Sequence, residues 1–268
     1  MADPKNAPLT GEAAERRMRM LSRRSFLTGG LAAVAGIGAW TWLTTAAHEQ
    51  GIPWPLRRML RFNQRLGEGF ASLHNLAPTF AAESVQNPPR TNGAIGLDGE
   101  VDAAAWRLRI QHAGRAAEQS LTLEALRALP RADLVTELKC VEGWSQVMRF
   151  GGVTFHDFLT QFGLGTRSGR APDPDGDPAD LYRYVYLATP DESYYVGLDL
   201  AAALHPQTLL CDTMNGQALN REHGAPLRIY LAAKYGYKSL KRVSLIRFQD
   251  EQPADYWGER GYDWYAGL

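Results

Sequence analysis

Cysteine is nearly absent. Cys140 and Cys211 are the two in 268 residues, so at most one disulfide can form, and their spacing fits neither a zinc motif nor a c-type haem attachment. Net charge is absent as well, 29 basic residues balancing 29 acidic ones. The balance is uneven along the chain. Residues 1–47 hold six bases (Lys5, Arg16, Arg17, Arg19, Arg23 and Arg24) against three acids, which leaves 23 basic and 26 acidic residues beyond. A slightly acidic body argues against nucleic-acid binding driven by counterion release. There is no internal repeat, no phosphate loop ending in Gly-Lys-Ser/Thr and no Gly-x-Ser-x-Gly elbow, so the common nucleotide and serine-hydrolase readings lack their parts. Long apolar runs are confined to one, which excludes a polytopic membrane protein. What remains, 45% hydrophobic and 10% aromatic residues, is enough to bury a sizeable core.

The single apolar run, Phe26 to Ala47, follows a basic cluster, and a charged flank before an apolar segment is a targeting layout. The junction Ser22-Arg23-Arg24-Ser25-Phe26-Leu27-Thr28 resembles the bacterial twin-arginine export signal. A generic signal anchor is the other reading, and both put the body outside the cytoplasm. The run is long enough to cross a bilayer, and a clean small-x-small cleavage site is hard to place near Thr44 to His48, so a retained anchor stays open. Beyond it, Leu56, Met59, Leu60, Leu66 and Phe70 share one helical face while Arg57, Arg58, Arg61 and Arg65 lie elsewhere. Such a basic amphipathic helix either lies on anionic lipid or packs on the body.

Asn87-Pro-Pro-Arg-Thr-Asn-Gly93 is a break rich in turn residues, and the globular fold is expected to start there. The division expected is a signal or anchor over 1–47, a linker with an amphipathic helix over 48–89, and one catalytic or binding domain over 90–268. Within it, the patterns predict strands near 106–110, 133–140, 182–188, 209–212, 226–231 and 242–248. Short helices are predicted over 123–129 and from Thr154, a good cap. The polar stretch 165–180 reads as a solvated loop. The expected class is α+β with mixed sheets, short helices and long loops.

Two places gather chemistry. Cys140 ends an apolar strand in Glu137-Leu-Lys-Cys-Val-Glu-Gly-Trp-Ser145, where a thiol can face a cavity, although a buried inert cysteine has the same pattern. Asn215-Gly-Gln-Ala-Leu219, His223-Gly-Ala-Pro-Leu-Arg228 and Tyr235-Gly-Tyr-Lys-Ser-Leu-Lys241 gather His223, Arg228, Lys238 and Lys241 around glycine turns, as anion-binding loops do. Together they suggest a cofactor that is anionic at one end and metal-binding at the other.

These motifs, in this order from about Arg90 to the C-terminus, resemble the molybdopterin-binding oxidoreductases of the sulfite oxidase superfamily, and especially the periplasmic protein-methionine-sulfoxide reductase catalytic subunits. The resemblance implies that superfamily's fold and one molybdenum-molybdopterin per chain. It implies Cys140 as the thiolate on molybdenum. Asn92 and Thr189 match contacts near the pterin, and Arg228 a contact to pterin or phosphate. Ser239, Leu240 and Lys241 match a loop that grips the phosphate. His223 stands where the reductases carry asparagine and the sulfite oxidases histidine. The stretch from Trp54 to Phe80 does not reproduce the reductases' cofactor loop, for which Asn63 and His74 are candidate substitutes.

The function so implied is oxygen-atom transfer at sulfur by an exported enzyme, reducing S- or N-oxides such as free or protein-bound methionine sulfoxide. Without a haem, flavin or iron-sulfur motif of its own, the chain needs an electron partner, and a membrane haem protein is the family's usual one. Oxidation of sulfite or a related oxyanion is the alternative within enzymes, and a non-catalytic binding module that kept the fold is the alternative outside them.

Overall fold

The computed structural model describes residues 11–70 and 73–268; residues 1–10, where the expected export signal begins, lie outside the described residues. The chain divides into two compact units, Met1–Arg58 and Met59–Leu268. The first contains α1 (Gly11–Thr45), whose apolar part, Ser25–Thr45, is long and apolar enough to cross a membrane and is not buried against protein. The two-residue strands β1 (His48–Glu49) and β2 (Ile52–Pro53) close a small hairpin. Arg57 braces that hairpin by donating to the Glu49 and Gln50 carbonyls. Trp42 meets Trp54 edge to face at 5.7 Å. The predicted amphipathic helix is α2 (Trp54–Phe70).

The second unit is α+β, with two five-stranded sheets and short helices. In chain order it holds β3 (Leu108–His112), β4 (Gln119–Leu121), α3 (Leu123–Arg127), β5 (Ala132–Lys139), β6 (Ser145–Thr154), α4 (Phe155–Phe162), β7 (Tyr184–Ala188) and β8 (Tyr195–Asp199). There follow α5 (Leu200–Leu204), β9 (Thr208–Met214), β10 (Gln217–Ala218), β11 (Arg228–Leu231) and β12 (Leu245–Gln249). One sheet runs β10-β9-β6-β5, with β11 also on β9, and is antiparallel throughout. The other runs β4-β3-β12-β7-β8 and is mixed, because β12 lies parallel to β3. The main core takes Leu108 and Ile110 from β3, Val185 and Leu187 from β7, Ile229 and Leu231 from β11, and Phe155, Phe158 and Leu159 from α4. Alternation on a pleated strand puts each strand pair on one face, and three- and four-residue spacing does the same for the α4 residues.

Local chemistry sets the element ends. Thr122, Thr154 and Asp199 each accept a backbone N–H from the first turn of α3, α4 and α5, the side-chain cap that helix starts require. The ladder of β6 on β9 shifts register between Gly151 and Gly152, and a side chain at Gly152 would collide with the Leu210 carbonyl of β9. Only glycine lets the two strands approach this closely. The stretch expected as a linker covers the open edge of β5 and β6: Phe80 N donates to Val135 O at 3.0 Å and Gln86 N to Val147 O at 3.0 Å. Burying those edge carbonyls blunts the sheet against further pairing.

Candidate active site

The β5–β6 hairpin carries Cys140 at its tip. Cys140 N donates to Trp144 O at 2.9 Å and Gly143 N to Cys140 O at 3.1 Å, so the thiol sits on a closed turn. Asn92 Nδ2 lies 3.6 Å from Cys140 Sγ and donates to Glu142 Oε2 at 3.3 Å. The Trp144 indole donates to the same carboxylate oxygen at 3.0 Å. Partial burial foremost pushes the Cys140 thiol up, and the Glu142 charge adds to this against its backbone and Asn92 hydrogen bonds. Without a cation at hand the sulfur keeps its proton; a metal ion there would reverse that balance.

A second wall is built from the 220–241 stretch. Asn220 Oδ1 accepts from His223 N at 2.9 Å and closes a single turn ending at Gly224. Gly224 has φ +96°, and a Cβ there would sit 2.7 Å from Lys241 Cβ and 2.8 Å from Arg242 N. The His223 turn and the Lys241 loop therefore cross in contact, which glycine alone permits. Arg228 opens β11 and is 5% exposed. Its guanidinium donates to His223 O at 3.3 Å and Ser239 O at 3.4 Å, and its Nε has no partner. Lys241 Nζ donates to Asn92 O at 2.6 Å and Gly93 O at 3.0 Å, tying this wall to the Asn92 loop.

Both walls face one cavity of about 170 Å³. Asn92, Cys140, His223, Arg228, Ser239 and Lys241, far apart in sequence, all line it. Thr189 and Leu240 do not. Thr189 is buried in the β7–β8 turn, where it donates to Asp191 at 2.7 Å and packs under Gly96. The Leu240 side chain enters the main core, and its amide donates to Lys238 O at 2.9 Å. Asn63 lines a different cavity, with Asp199, Lys234 and Tyr265, and His74 lines neither. Lys238 turns away from the site into a fully buried ion pair with Asp255 at 2.5 Å.

The charge of the second wall is net positive, with Glu222 offsetting Lys241 only in part. Among the described residues, the hydrogen bonds of Arg228 and Lys241 to oxygen all go to main-chain carbonyls. Burial, and then the Arg228 charge, depress Lys241 to about 8. Burial together with Arg228 and Lys241 pushes His223 down, so its imidazole is neutral at pH 7. A buried guanidinium with an orphaned N–H beside a cavity is costly unless an anion completes it. At the other end lies a thiol, a soft ligand suited to thiophilic metals. Among the described residues no group of three or more His, Cys, Asp or Glu is placed to hold a metal by itself. The donor set thus fits a metal whose remaining ligands arrive with an anionic organic group.

Several lining residues are additional to those read from the sequence: Arg90, Glu142, Trp144, Tyr194, Trp257 and Tyr262. Glu142 and Trp144 stand inside the Cys140 motif, which was the available signal. Trp257 and Tyr262 reach the cavity through the Asp255 carboxylate. It accepts from Gly197 N at 3.2 Å and Gly258 N at 2.8 Å, and so holds the C-terminal segment against β8.

Comparison with known proteins gives matches over much of the chain. The oxidoreductase molybdopterin binding domain matches residues 95–257. A putative protein-methionine-sulfoxide reductase subunit, YedZ1, of Azospira oryzae is 32% identical over 253 residues, covering 93% of this chain and 87% of that protein. The protein-methionine-sulfoxide reductase catalytic subunit MsrP of Xanthomonas campestris pv. campestris is 35% identical over 144 residues, 52% of this chain and 43% of its own length. The chain thus spans less than half of that relative. The sulfane dehydrogenase SoxCD of Paracoccus pantotrophus aligns with a TM-score of 0.47 and 19% identity over 67% of this chain and 46% of that one.

Proposed function

Because the chain belongs to the oxidoreductase molybdopterin binding domain family, we propose that it is an exported molybdenum-dependent oxidoreductase that transfers an oxygen atom at sulfur, reducing sulfoxides such as methionine sulfoxide. The observation that carries the reading is the convergence on one cavity of the Cys140 thiol, the Lys241 ammonium and the Arg228 guanidinium with its unmatched N–H. The chain's N-terminal hydrophobic segment, consistent with a signal sequence, matches a periplasmic enzyme. The Arg23-Arg24 pair suits export of a folded protein with its cofactor enclosed.

Cys140 would ligate the metal. Arg228, Lys241 and Ser239 would hold the anionic end, and Asn92 would orient the sulfur through the contact it already makes. When bound, the cofactor would supply two-electron redox and oxygen-atom-transfer chemistry. The balance is sulfoxide plus two electrons and two protons to thioether and water. Glu142 Oε2, held by Asn92 and Trp144, is the lining carboxylate through which a proton can pass. Neutral His223 adds a hydrogen-bonding group without further charge. Trp144, Tyr194, Trp257 and Tyr262 exclude water and offer aromatic faces to a thioether sulfur. The electrons come from a partner, for which a membrane haem protein is the reading consistent with the reductase relatives.

Sulfite oxidation is the second reading. The observation in its favour is Arg90, which lines the cavity with its guanidinium 4.4 Å above the Trp144 ring and could meet a small oxyanion. Rates on cofactor-loaded protein decide between them. Reduced viologen dye consumed with peptide methionine sulfoxide supports the proposal; turnover of sulfite with an oxidising acceptor, and none with sulfoxides, overturns it.

A further inference from the structure

Helix α2 carries an apolar strip that the protein does not cover. Met59, Phe62 and Leu66 are 58%, 53% and 46% exposed. They follow one another at three- and four-residue intervals and so form one stripe along the helix. Arg58 and Arg65 lie along one border of that stripe, in register with Phe62 at i−4 and i+3. The opposite side is already used: Gly67 lies so close to the Tyr265 ring that a Cβ would come within 2.6 Å of it. A helix packed on one side, apolar on another and basic at the border has the layout of an interfacial helix, with arginine stems along the acyl boundary and guanidinium groups at phosphate depth.

The occupant of the strip is indicated by what precedes it. Ser25–Thr45 is a 21-residue apolar helix with none of its apolar window buried inside the protein, and at the rise of an α-helix it spans about 31 Å, the thickness of a bilayer core. Its end carries exposed Trp40 and Trp42, the residues that mark the membrane–water boundary. Trp42 packs edge to face on Trp54, the first residue of α2, and Trp54 N donates to Ala47 O at 2.9 Å. Arg58 lies 4.7 Å above the Trp54 ring. These contacts hold Trp54, the first residue of α2, beside the tryptophan pair that ends the apolar helix.

We infer that α2 lies in the headgroup layer of an anionic phospholipid bilayer, with Met59, Phe62 and Leu66 toward the acyl chains and Arg58 and Arg65 on lipid phosphates. This surface is independent of the Cys140 cavity and of the reaction assigned to it. It gives the exported body a second hold on the membrane beyond a single span.

The test uses the full chain with Phe62 replaced by the photoreactive p-benzoylphenylalanine, reconstituted in vesicles of phosphatidylcholine alone or with about 30% phosphatidylglycerol. Mass spectrometry of the irradiated 59–65 region identifies what position 62 touches. The expected product is a phospholipid adduct, at least ~3-fold more abundant in the anionic vesicles. The Arg58→Glu/Arg65→Glu double variant, checked for an unchanged thermal transition, removes that gain. An adduct to a second copy or to another polypeptide overturns the inference. So does the absence of lipid adduct, or a lipid adduct indifferent to headgroup charge and to the arginines.

Discussion

Replacing Arg228 with methionine separates the site from the fold. In the protein alone, Arg228 is a buried cation whose hydrogen bonds to oxygen reach two main-chain carbonyls, with one N–H unmatched. Its removal leaves those carbonyls short of a donor, at about 1 kcal/mol each, and also removes a buried charge lacking an acidic partner, which costs several kcal/mol to desolvate. Methionine fills a similar volume against Phe150 and Met214. Arg228→Met is therefore expected to leave the cofactor-free protein as stable as the wild type or up to about 2 kcal/mol more stable. With the cofactor the sign reverses, because truncating one side of a desolvated charge pair costs about 2–5 kcal/mol. A loss near 2.7 kcal/mol is about 100-fold in affinity. The assay is the gap between the thermal midpoints of loaded and cofactor-free protein, which should narrow by roughly 5–11 °C for a domain of this size. A cofactor-free variant destabilised by more than ~3 kcal/mol that still holds one molybdenum per chain would refute the reasoning.

The two lysines of the 235–241 loop should behave oppositely. Lys238→Met strands the buried Asp255 carboxylate and is expected to cost about 3–5 kcal/mol in chemical denaturation, whereas Lys241→Met should leave the cofactor-free fold intact and lower molybdenum content. Equal effects of the two would contradict the assignment. The depressed Lys241 also predicts a pH response. Its folded pKa of about 8 lies below its unfolded value, so between pH 8 and 10.5 the unfolded chain binds more protons and stability rises with pH. Lys234, pushed down to about 8 by burial, adds to the same window, so the readout is the difference between wild type and Lys241→Met. That difference should flatten when the anionic cofactor is bound; a persistent slope would exclude contact with Lys241.

The chemistry was more legible in the sequence than the architecture. Cys140, Asn92, His223, Arg228, Ser239 and Lys241 stand in motifs whose glycine turns and polar residues have few structural uses, and they share the cavity. Lys238 and Lys241 cannot be told apart by pattern, because what separates them is Asp255, a residue delivered by the C-terminal segment. The aromatic lining was equally hidden: nothing in their local pattern sets Tyr194, Trp257 and Tyr262 apart before the tertiary fold brings them beside Cys140. Strand β6 escapes a pattern reading because Gly151 and Gly152 depress its propensity, although their lack of side chains is what lets β9 approach. Strand β8 follows too closely on the turn after Thr189 to stand out. The amphipathic helix α2 and the Thr154 cap were plain, since both depend on spacing within one element.

The central claim is that the Cys140 sulfur is bonded to the metal, and native-state alkylation of cofactor-loaded protein tests it most directly. Cys140 should resist iodoacetamide in proportion to molybdenum content, become reactive when the cofactor is removed, and lose the metal altogether in Cys140→Ser, with Cys211 buried and silent throughout. Full modification of Cys140 in protein that retains one molybdenum per chain would contradict the account.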